Sequence, residues 1–246
     1  TLNTYFSFRP GQAEVLNKSL DEMADELEDI LLRSVRRRLI SDVPLGAFLS
    51  GGVDSSTVVA LIRKALGLPV KTFAMGFAET EETEHIAARG FAAHLETDHR
   101  EKILKPDASR FLYQIGDLLD EPNGDSSCLP TYLLSEFARS EVTVAVSGDG
   151  GDEMFGGYSR YFLTLEEEAR TREGKLRGWN PGNAYYSSRI LVFPEEHIRE
   201  LLGFVPSSLR EILWSLRREI NSGGSVSLLD RMRKLDVDNY MPGAVL

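Results

Sequence analysis

The clearest indication of the fold is in residues 45–66, which read LGAFLSGGVDSSTVVALIRKAL. Leu45–Leu49 is a short, continuous apolar run, which is typical of a buried strand. Two glycines then turn the chain, and Asp54–Leu66 has the composition of a helix that ends before a glycine and a proline. A buried strand joined to a helix by a tight glycine turn predicts an α/β fold.

The same alternation of strand and helix continues along the chain. Val70–Phe77 and Val142–Val146 predict two further buried strands, whereas Asp98–Leu104 is polar and predicts an edge strand. Strands that alternate with helices favour right-handed crossovers and a parallel sheet with helices on both faces. The helices predicted around these strands cover 19–40, 82–95, 107–119 and 130–139, and a loop covers 120–127.

The pattern changes after Gly157, where we predict a mostly α-helical extension. Tyr158–Arg172 predicts a helix and Gly174–Ser188 a polar loop. Short amphipathic helices follow at 194–202, 207–219 and 227–235, and the stretch 241–246 has no obvious terminating element. We therefore expect residues 1–18 to be a linker, 19–157 an α/β unit, and 158–246 a helical part that is truncated at its C-terminus.

Composition restricts the partners. The chain has 246 residues, a net charge of −10 and one cysteine, and no apolar run approaches the ~18 residues of a membrane span. The basic cluster of Arg33 and 36–38 closes an amphipathic helix, where cations favour the negative end of the helix dipole. We therefore expect a cytoplasmic protein whose partners are small molecules and proteins, with no nucleic acid and no membrane.

The loop after the first strand has the composition of an oxyanion site. Its two glycines allow close approach to the backbone, and Ser50, Ser55 and Ser56 add hydroxyl donors before a helix N-terminus. No lysine follows the glycines, so this is not the GxxxxGK[ST] phosphate loop. Asp54 would repel a phosphate unless a cation lay between them, which suggests Mg²⁺. The alternative is that Asp54 or Ser55 only caps the helix.

A second loop, SGDGGDEMFGGY at Ser147–Tyr158, follows the last buried strand. It holds five glycines and three acids within twelve residues, which is costly for a simple connection because each ordered glycine loses much conformational freedom. Asp149, Asp152 and Glu153 offer hard oxygen ligands or a catalytic base. In a parallel sheet both loops leave at the carboxyl ends of strands, where ligands bind. The alternative is an acidic surface turn.

Together the two loops resemble the ATP-pyrophosphatase (PP-loop) domain of glutamine-hydrolysing asparagine synthetases. The first motif is shared by a wider superfamily that includes GMP and NAD synthetases, whereas the second is more specific to this group. The resemblance covers about residues 20–245, weakens after Tyr161, and implies an adenine-nucleotide alpha-hydrolase-like fold. Further matching stretches are VPLG at 43–46, KTFAMGF at 71–77, DEP at 120–122 and DSS at 125–127.

The resemblance also implies roles for individual residues. Asp54 and Asp152 would bind Mg²⁺, and Asp149, where some family members have glutamate, would orient the substrate or handle a proton. Leu49 and Met75 would contact the adenosine, although plain core residues would look the same in the sequence. The residues implied to hold the pyrophosphate or other parts of ATP are Ser50, Gly51, Gly52, Asp54, Ser55, Ser56, Ser147 and Gly148.

The implied reaction is the ATP-dependent amidation of aspartate to asparagine through a β-aspartyl-adenylate. Ammonia would come from a glutaminase domain, whose nucleophile in the family is an N-terminal cysteine. This chain begins at Thr1 and has only the internal Cys128. We therefore expect the glutaminase domain to be absent from this chain, residues 1–18 to be the linker from it, and the chain alone to bind ATP without completing the reaction.

Two other functions stay open. An amidotransferase or cyclase that adenylates a different carboxylate would show the same motifs. A non-catalytic nucleotide-binding module would share the α/β scaffold, but a passive adenosine pocket needs no Mg²⁺ ligands, and the acidic second loop argues against it. The sequence leaves the oligomeric state open, and a homodimer is compatible with it.

Overall fold

A computed structural model of the protein describes residues 7–10, 18–78, 84–104, 117–119, 124–191, 193–223 and 226–245. The chain divides into two compact units, Asn17–Asp149 and Gly150–Leu246 together with Thr1–Leu16. We call the first the α/β unit and the second the helical unit. Most of the helix predicted at 107–119, and the first part of the loop predicted at 120–127, lie outside the described residues.

The α/β unit is built on four parallel strands in the order β3-β2-β1-β4. The predicted parallel sheet is therefore confirmed, and the polar strand lies at its edge as expected. β4, predicted as a buried strand, forms the other edge of the described sheet and is only partly buried. β1 lies inside the sheet because it pairs with β2 on one side and β4 on the other. The strands are β1 (Leu45–Phe48), β2 (Lys71–Phe77), β3 (Asp98–Leu104) and β4 (Val144–Val146).

Helices cover both faces of the sheet, as predicted. Successive side chains of a strand point to opposite faces, so Ala47 and Ala74 lie in one core and Phe48 and Phe73 in another. In the second core the Phe73 ring meets Phe137 edge-on, with 5.8 Å between ring centroids. The first core contains residues of α1 (Leu20–Arg38), α2 (Val53–Ala60) and α3 (Glu84–Leu95), and the second contains residues of α4 (Cys128–Arg139).

Local sequence signals explain where two of these helices begin and end. Ser19 caps α1 by accepting a hydrogen bond from the Glu22 backbone N–H, and the Glu22 carboxylate accepts one from the Ser19 backbone N–H at 2.7 Å. The basic residues 36–38 lie in the last turn of α1, as predicted. The helix predicted at 54–66 is found as α2 followed by a π-helical turn, Leu61–Ala65.

The helical unit contains the predicted extension. Its core is formed largely by buried aromatic and aliphatic side chains, among them Tyr161, Tyr185, Leu213 and Met232. No strand occurs in the part of this unit that the structure describes. The α-helices are α5 (Gly151–Phe155), α6 (Ser159–Arg172), α7 (Glu195–Leu202), α8 (Ser207–Asn221) and α9 (Leu228–Leu235).

One prediction for this unit was wrong. The polar loop predicted at 174–188 contains most of a π-helical segment, Asn183–Ile190. A second π-helical segment, Asp236–Val245, follows α9, where no element was predicted. The first segment is held by tertiary contacts, because the Tyr185 side chain is buried in the core and the Gly182 N–H donates to the Asn221 side chain at 2.9 Å. Burial of a tyrosine thus outweighs a glycine- and asparagine-rich composition.

Among the described residues, no helix combines the length and the apolar character that crossing a bilayer requires.

We predict that Phe73→Ala lowers the free energy of unfolding by about 3–5 kcal/mol, because the ring is fully buried between β2 and α4 and its removal leaves a cavity. The matched control is Phe91→Ala in α3, where the side chain is 41% exposed, and we expect a loss of about 1 kcal/mol or less. Urea denaturation of both variants measures the difference. Equal losses would contradict the assignment of Phe73 to the core.

Candidate functional site

The candidate site of the α/β unit lies at the carboxyl edge of the sheet. Ala47 of β1 pairs with Val146, the last residue of β4, and β1 ends one residue later at Phe48. β1 and β4 therefore end at nearly the same level, and the loops that follow them leave the sheet side by side. This is the edge at which ligands bind in parallel α/β sheets.

Gly148 packs directly on the first turn of α2. A Cβ atom at Gly148 would lie 2.6 Å from the Ser55 backbone nitrogen and 2.8 Å from the Asp54 carbonyl carbon. These distances are too short for any side chain, so glycine is the only residue that fits without moving the helix. The contact brings the predicted ATP residues Ser147 and Gly148 together with those of the first loop.

The first loop is folded on itself by its own hydroxyl groups. The Ser50 backbone N–H donates to Ser55 Oγ at 3.1 Å, and the two serine hydroxyls lie 3.0 Å apart. The Gly52 N–H donates to Ser50 Oγ at 3.2 Å. The N-cap of α2 is Gly52, so neither Asp54 nor Ser55 holds the capping position that the structural alternative required.

Gly51 fixes the other side of this loop. Its φ of 81° lies in the left-handed region, which favours glycine. A Cβ atom there would also lie 2.7 Å from both Ala87 Cβ and the Ala88 nitrogen in α3. The start of α3 therefore packs against the loop, a neighbour that the sequence did not reveal because the contact is made by alanines and backbone atoms.

The candidate ATP residues differ in exposure. Ser50 and Gly52 are exposed, and Asp54 and Met75 are half-buried. Leu49 is only 1% exposed and belongs to the hydrophobic core, which is the alternative that its sequence left open. Ser56 is also buried, and its hydroxyl has no hydrogen-bond partner within the described residues.

At the end of β4 the first acid of the second loop is held by its neighbour. Ser147 Oγ donates to Asp149 Oδ2 at 2.6 Å, and Asp149 is exposed. Hydrogen bonds to an ionised carboxylate are shorter and stronger than neutral ones. The pair therefore presents an oriented carboxylate at the surface of the α/β unit.

The remainder of the second loop belongs to the helical unit and forms α5. Glycines in left-handed conformation flank this helix, with φ of 88° at Gly150 and 76° at Gly156. The Asp152 carbonyl accepts hydrogen bonds from the Gly156 and Gly157 N–H groups at 2.8 and 3.0 Å. A Cβ atom at Gly157 would collide with the Asp152 carboxylate, so the glycine leaves room for that side chain.

Glu153, the third predicted catalytic acid, lies inside the helical unit. Its side chain is 0% exposed, and its Oε1 accepts a hydrogen bond from the Tyr158 hydroxyl at 2.7 Å. Burial, reinforced by this hydrogen bond, raises the pKa of Tyr158 far above its usual range, so the hydroxyl keeps its proton and remains a donor. The structure thus places Glu153 in a packed interior.

A buried ion pair that the sequence did not predict lies beside this interior. Arg160 Nη2 is 2.8 Å from Asp236 Oδ2, and Asp236 is 1% exposed. Burial alone would lower the pKa of Arg160, but the charge of Asp236 outweighs it and raises that pKa. The partners are 76 residues apart in the chain, so no local spacing could have indicated them.

The described residues contain no group of three or more histidine, cysteine, aspartate and glutamate side chains that could hold a metal ion by themselves. The predicted Mg²⁺ ligand Asp54 belongs to the α/β unit, and the second predicted ligand, Asp152, belongs to the helical unit. A protein site for Mg²⁺ often supplies only one or two carboxylates and leaves other positions to phosphate oxygens and water.

Comparisons with known proteins identify relatives over the whole chain. The family model described as asparagine synthase matches residues 26–246. Asparagine synthetase (glutamine-hydrolysing) 1 of Bacillus subtilis strain 168 is 29% identical over 276 residues, which cover 100% of this chain and 42% of that protein. A putative asparagine synthetase (glutamine-hydrolysing) 2 of Methanocaldococcus jannaschii is 44% identical over 157 residues, 63% of this chain and 30% of that protein.

This chain thus spans less than half the length of those curated relatives. Among solved structures, NMN synthetase from Francisella tularensis aligns with a TM-score of 0.40 and 13% identity, covering 90% of this chain and 93% of that one.

We predict that Gly148→Ala displaces the first turn of α2, because the new methyl group overlaps the Ser55 nitrogen. Overpacking of this kind costs about 1–3 kcal/mol of stability, and we expect faster hydrogen exchange at the amides of residues 55–57. Gly90→Ala is the matched control, since nothing lies within 4 Å of a Cβ atom there and alanine favours the helix. Unchanged exchange in Gly148→Ala would contradict the close contact.

Proposed function

We propose that this chain, which belongs to the asparagine synthase family, is the part of a longer enzyme that binds ATP and activates the side-chain carboxylate of aspartate. The observation that carries the proposal is the contact of Gly148 with the first turn of α2. It joins two loops of matching chemistry at the sheet edge where nucleotides bind. The family membership supports the choice of aspartate over other carboxylates.

The first loop suits the pyrophosphate of ATP. Ser50 and Gly52 are exposed, and the loop leads into the N-terminus of α2, whose backbone N–H groups and dipole favour an anion. Gly51 and Gly148 let α3 and the chain after β4 pack directly on this turn, so its exposed residues Ser50 and Gly52 are the ones left to contact phosphate oxygens. We assign Ser50, Gly51, Gly52 and Ser55 to the pyrophosphate. Ser56 is assigned to the same site as part of the first turn of α2. Ser147 and Gly148 are proposed to border the nucleotide.

The adenosine is proposed to lie at the ends of β1 and β2. Met75 is half-buried near the carboxyl end of β2, so its flexible side chain can cover an adenine ring. Leu49 is buried beneath the loop and would support the nucleotide from the core side. His85 packs against Gly76, where a Cβ atom would lie 2.6 Å from His85 Nδ1, and it closes this end of β2.

Asp54 is proposed as a ligand of Mg²⁺. It lies in the first turn of α2, half-buried, where a carboxylate beside a phosphate needs a cation to offset the repulsion. Asp152 keeps the role of second ligand that its place in the sequence motif indicates. When bound, Mg²⁺ would neutralise charge on the phosphate oxygens and favour departure of pyrophosphate.

The proposed reaction has two steps. A β-carboxylate oxygen of aspartate attacks the α-phosphorus of ATP, and the bond from that phosphorus to the β-phosphate oxygen breaks, which releases pyrophosphate. Ammonia then attacks the acyl carbon of the aspartyl-adenylate, loses a proton, and displaces AMP to give asparagine. The protein contributes mainly position and charge, as is usual for reactions at phosphorus.

Asp149 is proposed to orient the substrate in these steps. Ser147 fixes one of its carboxylate oxygens at 2.6 Å, which orients the other oxygen to accept a proton or a hydrogen bond from an ammonium or amine group. In the full-length protein we propose that ammonia comes from the hydrolysis of glutamine, as the names of the curated relatives suggest for those proteins.

The proposal is tested by pyrophosphate release from ATP in the full-length protein, with ammonia and one of several carboxylic acids. We expect release to require aspartate, with AMP and asparagine formed in equal amounts. Release that is equally fast with other carboxylic acids would favour an amidotransferase or cyclase acting on a different carboxylate. ATP binding without any release would favour a nucleotide-binding module and contradict the proposal.

We further predict that Asp54→Asn weakens Mg²⁺-dependent ATP binding about tenfold, roughly 1.4 kcal/mol, because the neutral amide is a poorer Mg²⁺ ligand. Asp25→Asn, which removes the same charge from the exposed face of α1, is the matched control and is expected to change nothing. Calorimetric titration with ATP, with and without Mg²⁺, measures both. Equal affinities for Asp54→Asn and the unmodified protein would return Asp54 to a purely structural role.

A further inference from the structure

We propose that Tyr158, Arg160 and Asp236 are positioning residues, which hold the short helix α5 and thereby Asp152 through the buried carboxylate of Glu153. The effect on catalysis rests on the function proposed above, whereas the structural effect does not. This reassigns Glu153, predicted from the sequence as a catalytic acid, to the support of a neighbour. Each link is visible within the helical unit.

The first link is the anchoring of α5. A helix of five residues cannot be stable by itself, because its few hydrogen bonds do not offset the cost of nucleation. Glu153 points its side chain into the interior, where the Tyr158 hydroxyl donates to Oε1 at 2.7 Å. A buried carboxylate that lost this donor would be strongly destabilised, so the bond fixes the orientation of the helix that carries Asp152.

The second link fixes the Tyr158 ring. The Arg160 guanidinium carbon lies 3.5 Å from the centroid of that ring and 4.6 Å from the centroid of Tyr240. The two rings meet edge-on, with 6.1 Å between centroids. A planar guanidinium stacked on aromatic rings restrains them in a way that a lysine ammonium cannot.

The third link fixes Arg160. Its guanidinium binds Asp236 Oδ2 at 2.8 Å, and the same oxygen accepts hydrogen bonds from the hydroxyls of Tyr161 at 2.7 Å and Tyr185 at 2.6 Å. Two buried tyrosines and one arginine thus donate to the same carboxylate oxygen. Removing one of three donors leaves the ion pair in place, which makes Tyr161 a suitable control.

The helix α9, which precedes Asp236 in the chain, also contacts the C-terminal half of α5. Arg233, in the last turn of α9, donates from Nε to the Glu153 carbonyl oxygen at 3.2 Å and from Nη2 to the Met154 carbonyl oxygen. Its Nη1 also donates to Asp230 at 3.0 Å. Residues from Asp230 to Tyr240 therefore act together with the Glu153–Tyr158 hydrogen bond in setting the position of α5.

The test compares Tyr158→Phe with Tyr161→Phe in the full-length protein. Each variant removes one hydrogen-bonded hydroxyl and keeps the ring. For Tyr158→Phe we expect kcat for pyrophosphate release to fall about tenfold, KM for ATP to change less than twofold, and the Mg²⁺ concentration for half-maximal rate to rise. The amides of residues 151–156 should exchange at least tenfold faster. Tyr161→Phe should lower stability but leave all four quantities unchanged.

A second variant keeps the test decisive if Tyr158→Phe does not fold. Arg160→Lys retains the charge that pairs with Asp236 but loses the stacking on Tyr158, so it should give the same pattern at a smaller magnitude. Normal kcat, Mg²⁺ dependence and amide exchange in Tyr158→Phe, or equal effects in Tyr161→Phe, would overturn the proposal. If the unmodified protein released no pyrophosphate, the proposed function would fail, and amide exchange would still decide whether these residues position α5.

Discussion

The α/β unit depends on one contact, the seating of the Gly148 backbone on the first turn of α2. It joins the chain that leaves β4 to the helix that follows β1, and it allows no side chain between them. The hydrogen bonds of Ser50 and Ser55, the left-handed Gly51 and the wall formed by α3 all hold the same turn from other sides. The proposed binding surface of this unit is therefore formed largely by backbone whose shape is fixed by packing within the unit.

In the helical unit, the position of the second loop depends on a different set of interactions. Its part of the second loop is a five-residue helix, too short to define its own position. A buried carboxylate, an aromatic hydroxyl and an ion pair supply the definition instead. Such groups are costly to bury, and an apolar core of equal volume is often as stable. They contribute here to the orientation of α5, since a hydrogen bond restricts the orientation of a helix more narrowly than hydrophobic packing does.

Most of the fold could be predicted from the sequence, because its signals are local. The apolar runs of β1 and β2, the capping pair Ser19 and Glu22, and the polar character of β3 each report their element directly. The two loops were also recognisable from their glycines and acids. The Asn183–Ile190 segment was missed because it depends on the burial of Tyr185, and the Arg160–Asp236 pair because its partners are far apart in sequence. The exposure of a side chain could not be read from the sequence either, so the buried Glu153 resembled a surface acid.

The strand order also has a consequence for how the protein acquires its structure. β1, β2 and β3 follow one another closely in the chain, but the other side of β1 pairs with β4, about a hundred residues further on. Closing so long a loop is entropically slow, and pairings of this kind delay folding. Until β4 arrives, the apolar strand β1 is an open edge that could pair with another molecule. On the ribosome, the chain is thus most vulnerable to misassembly in the interval between synthesis of β3 and β4.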